Sequence, residues 1–183
     1  MTGVQTCALP IFTKKGKCIC FSEKDVRAMG RVAGGVRAIK LDKDDEVVSM
    51  SLVDPDQELL VVTENGYGKR TPVKEYKVQV RGGKGLLTYD KSKFKKTGSL
   101  IGAMVVDKDD EILLINSDGI IIRIRANEIS ELGRATQGVK IMKVGEETKI
   151  VSMAKVIKED DAKNEEDEEE KDALKDDEIK PLV

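Results

Sequence analysis

The chain has 183 residues, 39% of them hydrophobic and only 3% aromatic, with no Trp and no His. Its net charge of -2 is split: Thr13–Lys158 carries 28 Lys/Arg against 21 Asp/Glu, a net of +7, and Glu159–Val183 carries 4 against 13, a net of -9. The missing His excludes His-based triads and the usual neutral-pH base, three cysteines without a long-range framework exclude a disulfide-stapled secreted domain, and no apolar run approaches the ~20 residues of a helical membrane span.

Residues 1–11, MTGVQTCALPI, carry no charged side chain and have no basic leading region, so they do not read as a signal peptide. Up to about Ile11 they match no element of the repeats that fill the rest of the body, and we read them as a foreign leader. Three segments align without a gap: Gly16–Lys40, Gly66–Asp90 and Gly119–Lys143, at offsets of 50 and 53 residues. The same Arg recurs as Arg31, Arg81 and Arg134, followed four residues later by Gly35, Gly85 and Gly138. The repeats run over about 12–53, 54–106 and 107–158.

Each repeat predicts four short strands. The opening strand is an apolar run, ELLVVT at Glu58–Thr63 and EILLIN at Glu111–Asn116. By register the first repeat should place its own at about Ala8–Thr13, where CALPIF stands, so most of that strand is expected to be missing and the array open at its front, with an unpaired edge. A turn follows at Asn65-Gly66 or Asp118-Gly119, dipeptides that favour hairpins because both central residues need positive φ. The return strand is Cys18–Phe21, Lys69–Thr71 or Ile121–Arg125. A loop carries the Arg-x-x-x-Gly unit into a third strand, Val36–Leu41, Leu86–Tyr89 or Val139–Val144. The fourth strand is Glu46–Leu52, Ser99–Val106 or Thr148–Val156. The middle repeat inserts a basic loop, Lys91 to Lys96. A period near 50 with four strands per unit reads as an all-β, propeller-like array of about three blades, each needing neighbours to bury its faces.

Several groups invite a chemical reading. Cys18 and Cys20 lie two apart on a strand and point the same way; a metal pair is conceivable, and two small buried thiols are the plainer alternative. There is no P-loop pattern, paired-carboxylate setting or metal cluster, so no catalytic or metal site is assigned. Arg81-Gly82-Gly83-Lys84-Gly85 suits phosphate: glycine lets backbone N–H groups approach closely while the cations neutralise charge. Recurring at blade spacing, such loops would grip a duplex backbone without reading bases. The same glycines also read as blade-closing turns. Arg123 and Arg125 alternate with Ile122 and Ile124 and share one face; for them and for Lys69 and Arg70 a plain solvated surface is equally open. Tyr67, Tyr76 and Tyr89 read as packing residues.

The stretch TENGYGKRTPVKEYKVQVRGGKG (Thr63–Gly85), with VRAMGRVAGGVRAIKL (Val26–Leu41) and GRATQGVKIMKV (Gly133–Val144), resembles the C-terminal domain of DNA gyrase A. The resemblance covers about Phe12 to Val156. It implies a β-pinwheel whose neighbouring blades exchange strands and whose basic rim bends duplex DNA. Gln79–Gly85, QVRGGKG, is similar to that family's signature box, but Val80 stands where the box has a basic residue and the position is not the first blade. It is read as the blade-level counterpart of that loop, with the box itself outside this chain. The implied DNA contacts are Arg31, Arg37, Lys69, Arg70, Arg81, Lys84, Lys95, Lys96, Arg123, Arg125, Arg134 and Lys140. Gly35, Gly66, Gly85, Gly119 and Gly138 are the implied turn glycines. The parent would be a cytoplasmic, nucleoid-associated ATP-dependent type II topoisomerase. Its cleavage Tyr, its ATP and its Mg would lie in other domains or in gyrase B, leaving this chain without a cofactor. Partners implied are double-stranded DNA, gyrase B and the rest of gyrase A, with no membrane. Alternatives are the equivalent DNA-binding domain of topoisomerase IV and a propeller that recognises proteins.

The tail, Glu159–Val183, holds runs such as Glu165 to Glu170 and cannot bury a core; it is expected to be disordered. A basic body with an acidic tail suggests a polyanion partner and a segment that competes with it, against the plainer reading of a solubilising tail. If the tail folds back on the rim, deleting residues after Lys158 should tighten DNA binding at low salt.

Overall fold

The computed structural model describes residues 8–156. Eleven strands build three antiparallel sheets among these residues. The first repeat supplies β1 (Ala8–Thr13), β2 (Lys17–Ser22) and β3 (Val47–Met50). The second supplies β4 (Glu58–Thr63), β5 (Tyr67–Pro72), β6 (Leu86–Leu87) and β7 (Leu100–Val106). The third supplies β8 (Glu111–Asn116), β9 (Ile121–Arg125), β10 (Val139–Lys140) and β11 (Ile150–Lys155). The basic insertion of the middle repeat folds into a short helical turn that ends in α1 (Phe94–Thr97).

Strand order shows how the repeats interlock. The sheets run β3-β1-β2-β6, β10-β5-β4-β7 and β11-β8-β9. In each, the opening strand sits between its return strand and its fourth strand. The third strand of the following repeat crosses over: β6 joins β2 of the first repeat, and β10 joins β5 of the second. The fold is therefore an all-β array with strand exchange between neighbours. The fourth strands β3, β7 and β11 contact one another in succession, so those edges converge as a hub. The crossed-over strands β6 and β10 end the first two sheets on the opposite side, the rim.

Three expectations change. The first repeat's opening strand is present: β1 pairs with β2 through Ile11↔Ile19 and Phe12↔Cys18, and Ile11 and Phe12 are buried. A strand needs only backbone pairing and apolar side chains on its covered faces, and LPIF meets both conditions. The first sheet's outer edge is also not unpaired, because β6 covers it. The unpaired edge lies at the other end: among the described residues no strand covers β9, and the third sheet has three strands. Correspondingly, the predicted third strand Val36–Leu41 does not form, since its partner would be the return strand of a repeat before the first.

Two cores lie between the sheets. One joins Phe12, Cys18 and Cys20 of the first repeat to Leu59, Val61, Tyr76 and Tyr89 of the second. The other joins Leu60, Val62 and Val106 to Ile112, Leu114 and Ile129. Alternation along β4 sends Leu59 and Val61 one way and Leu60 and Val62 the other. All four are fully buried, at roughly 1.5–3 kcal/mol each. That is why ELLVVT is a continuous apolar run. A third cluster, Ile11, Ile19, Phe21 and Ile39, covers the outer face of the first sheet.

Candidate nucleic-acid interface

The Arg-x-x-x-Gly loops sit where two repeats meet. Gly85 (φ 71°) and Gly138 (φ 79°) are in the left-handed region. A Cβ on Gly85 would lie 2.6 Å from the Cys18 carbonyl oxygen, and on Gly138 2.7 Å from that of Gly68. Both carbonyls belong to the return strand of the preceding repeat, so glycine is required for the loop to lie flat against it. Gly35, Gly66 and Gly119 also have positive φ.

The repeated arginines lie at these joints. Arg81 is half-buried; its guanidinium donates to the Arg37 carbonyl at 2.8 Å and to that of Asp25 at 3.3 Å. Arg134 is half-buried with its guanidinium 6.0 Å from the Tyr76 ring centroid, and its backbone N–H donates to the Glu75 carboxylate at 3.0 Å. Both tie repeats together while keeping part of the cation in solvent. Arg31, Arg37, Lys84, Lys95, Lys96 and Lys140 are exposed. Lys96 and Lys140 come from different repeats yet both stand over the Tyr67 ring, at 5.5 and 5.8 Å from its centroid. Arg123 and Arg125 share the solvent face of β9, where Arg123 pairs with Glu111 and Arg125 stands 3.9 Å from the same carboxylate.

Lys69 and Arg70 require correction. Lys69 is fully buried, with its ammonium donating to the Gly133 carbonyl at 2.7 Å and to the Thr136 hydroxyl at 3.0 Å. Burial pulls its pKa down to about 8, opposed by the Glu75 carboxylate. Arg70 is 6% exposed; it pairs with Glu58 and donates through Nε to the Ile129 carbonyl at 2.8 Å. Both are covered by the crossed-over loop of the third repeat, so neither reaches a ligand at the rim. Cys18 and Cys20 are free buried thiols held protonated by desolvation. Among the described residues no group of three or more potential ligands surrounds a metal-sized space, and no helix is long and apolar enough to cross a membrane.

Two roles escaped sequence reasoning. Tyr67 organises two rim lysines. Asp25, Glu75 and Glu128 stand six residues before each repeated Arg, and two of them meet the next repeat's loop: the Asp25 backbone carbonyl accepts from the Arg81 guanidinium and the Glu75 carboxylate from the Arg134 backbone N–H. That second signal was visible in the repeat alignment.

Residues 11–54, 57–107 and 110–157 each match the family described as DNA gyrase C-terminal domain, beta-propeller. The DNA gyrase A protein of Mycolicibacterium smegmatis is 42% identical over 84% of this chain and 18% of its own length. That of Thermotoga maritima is 45% identical over 76% of this chain and 17% of its own. A solved DNA gyrase A C-terminal domain superposes with a TM-score of 0.77 at 35% identity, over 84% of this chain and 52% of that one. A solved C-terminal domain of DNA topoisomerase IV superposes with a TM-score of 0.80 at 25% identity, over 87% and 50%. The chain spans under a fifth of the length of these curated relatives.

Proposed function

Since the chain belongs to the DNA gyrase C-terminal β-propeller family, we propose that its rim binds and bends duplex DNA without sequence selectivity. The observation that carries this is the arrangement of exposed cations at the rim. Arg31 and Arg37, Lys84, and Lys140 occupy the loop and third strand of successive repeats, and Lys95 and Lys96 project from the insertion between them. Point charges on repeated loops match the periodic phosphates of a duplex and carry no base readout. Bending a site of 20–30 base pairs costs on the order of 1–6 kcal/mol, which several phosphate contacts together offset. In the whole enzyme this wrapping would serve ATP-dependent supercoiling. ATP and Mg would be handled by segments outside this chain, in the cytoplasm and on the nucleoid.

With about six phosphate contacts, log affinity should fall with log salt at a slope of about -5, or roughly 1000-fold between 50 and 200 mM. Duplexes of unrelated sequence should bind within a few-fold of one another. A shallow slope with little binding at moderate salt would favour the protein-recognition alternative. The fit to the topoisomerase IV domain leaves DNA as the shared ligand, so either relative leads to the same experiment.

A further inference from the structure

Three side chains from three segments meet where the second and third repeats join. Tyr67 opens β5, and Lys140 of the next repeat stands directly opposite it across the β5–β10 ladder, a spacing at which neighbouring side chains on one face touch. Lys96 arrives from α1, in the insertion of the middle repeat. The ladder is pinned beside them: Ile141 N–H donates to the Gly66 carbonyl at 2.8 Å, and a Cβ on Gly66 would collide with the Met142 carbonyl. The insertion is tied to the turn before β5, where Asn65 N–H donates to the Thr97 carbonyl and Asn65 Nδ2 to that of Lys96, both at 2.9 Å. Phe94 of the same insertion stacks on Tyr89 with ring centroids 5.9 Å apart.

Two exposed ammoniums therefore stand over one half-buried ring, Lys96 at 5.5 Å and Lys140 at 5.8 Å from the Tyr67 centroid. Like charges brought onto one ring repel, and the negative face of the ring offsets this only weakly at an exposed site. Neither lysine forms an ion pair among the described residues. Glu146 lines the same shallow cleft of about 200 Å³ and is paired with neither. The first joint is built differently: Lys17 takes the place of Tyr67 and Leu87 that of Lys140, and the Lys17 ammonium is neutralised by Asp42 at 2.7 Å. A cation pair left unneutralised beside a cleft suits an anion with more than one acceptor oxygen.

We propose that Lys96 and Lys140 grip one phosphate group between them, and that Tyr67 is the residue that positions them for it. This phosphate seat rests on the reading of the rim as a duplex-binding surface, and it gives that surface a contact shared by two repeats. Two oxygens of the phosphate accept from the two ammoniums, and the Tyr67 ring holds both lysines at the cleft. Because two cations neutralise a single phosphate, the pair counts once in counterion release. Glu146 is the competing anion at the edge of the cleft.

The 183-residue chain, isotopically labelled at lysine, is titrated with inorganic phosphate and separately with duplex DNA, and the ε-methylene signals of Lys96 and Lys140 are followed by NMR. With inorganic phosphate the two signals should shift along one shared binding curve in the wild type and in Tyr67→Phe. The response should weaken severalfold in Tyr67→Leu, which keeps both charges and removes the ring. Glu146→Gln should strengthen it. With duplex, Lys96→Ala and Lys140→Ala should each lower affinity severalfold, and together they should flatten the log–log salt slope by about 1, not by the ~2 of two separate contacts. Tyr67→Leu should also lower duplex affinity severalfold, yet add little to the double lysine variant; a tyrosine that only stabilised the fold would show no such dependence on the lysines. Should Tyr67→Leu fail to fold, the lysine variants, both at exposed side chains, carry the test through the slope. If phosphate moves both signals and duplex does not bind, the duplex reading fails and the seat stands for free phosphate. Signals that follow separate curves, lysines that act additively, or a folded Tyr67→Leu indistinguishable from the wild type would each overturn the seat while leaving duplex binding intact.

Discussion

Lys69 and Arg70 show why a basic residue on a strand cannot be read as a surface contact. Their repeat equivalents are Ile19 and Cys20 in the first unit and Ile122 and Arg123 in the third. The apolar first-unit residues marked these positions as inward, and the polar pair hid it. Arg70 holds the buried carboxylate of Glu58, so Arg70→Met strands that charge. Urea unfolding should show a loss of about 3 kcal/mol, with duplex affinity of the folded variant unchanged. Lys69 has a lowered pKa of about 8 in the folded state, against an ordinary ~10.4. The unfolded chain therefore binds more protons between these values, and this group's contribution to stability rises with pH across that window and is lowest below it. The Cys18 and Cys20 thiols and the Tyr89 phenol, the last raised to about 12, act in the opposite direction as pH rises. The Lys69 part is isolated by comparison with Lys69→Ile. The stability of the wild type relative to that variant should increase from about pH 8 to about pH 10 in chemical denaturation; a constant difference would refute the assignment.

At the scale of elements, periodicity located most strands within a residue or two. The opening, return and fourth strands follow from apolar runs and turn dipeptides, all local signals. The third strands did not behave alike, because their pairing is not local. Leu86–Leu87 and Val139–Lys140 form strands since a preceding return strand receives them, while Val36–Leu41 has none among the described residues. The strand at Ala8–Thr13 was placed by register yet discounted because its residues looked alien to the repeat. Sheet formation depends on apolar character and backbone pairing rather than on lineage. Gly138→Ala brings a Cβ to within 2.7 Å of the Gly68 carbonyl and imposes a left-handed φ on alanine. It should destabilise the chain by about 2 kcal/mol or more, read as a lower denaturation midpoint. No change would mean that the close approach is not needed.

For the molecule as a whole, exposure divides the proposed contacts in a way charge alone could not. The repeat architecture and the basic body were legible because both are sums over many residues. Which cations face solvent was not, because it depends on crossed-over loops that bury Lys69 and Arg70 and half-cover Arg81 and Arg134. The acidic tail and the first seven residues lie outside the described region, so tail deletion stands as a separate test. If the rim cations carry DNA binding, removing them must flatten the salt dependence of duplex affinity. The decisive comparison is between the wild type and a variant with Lys84, Lys95, Lys96 and Lys140 all changed to Ala. The wild-type log–log slope should be about -5 and should become shallower by about 3 to 4 in the variant, with affinity falling equally for every duplex sequence. A folded variant that keeps the wild-type slope and affinity would show that the rim cations do not carry the binding.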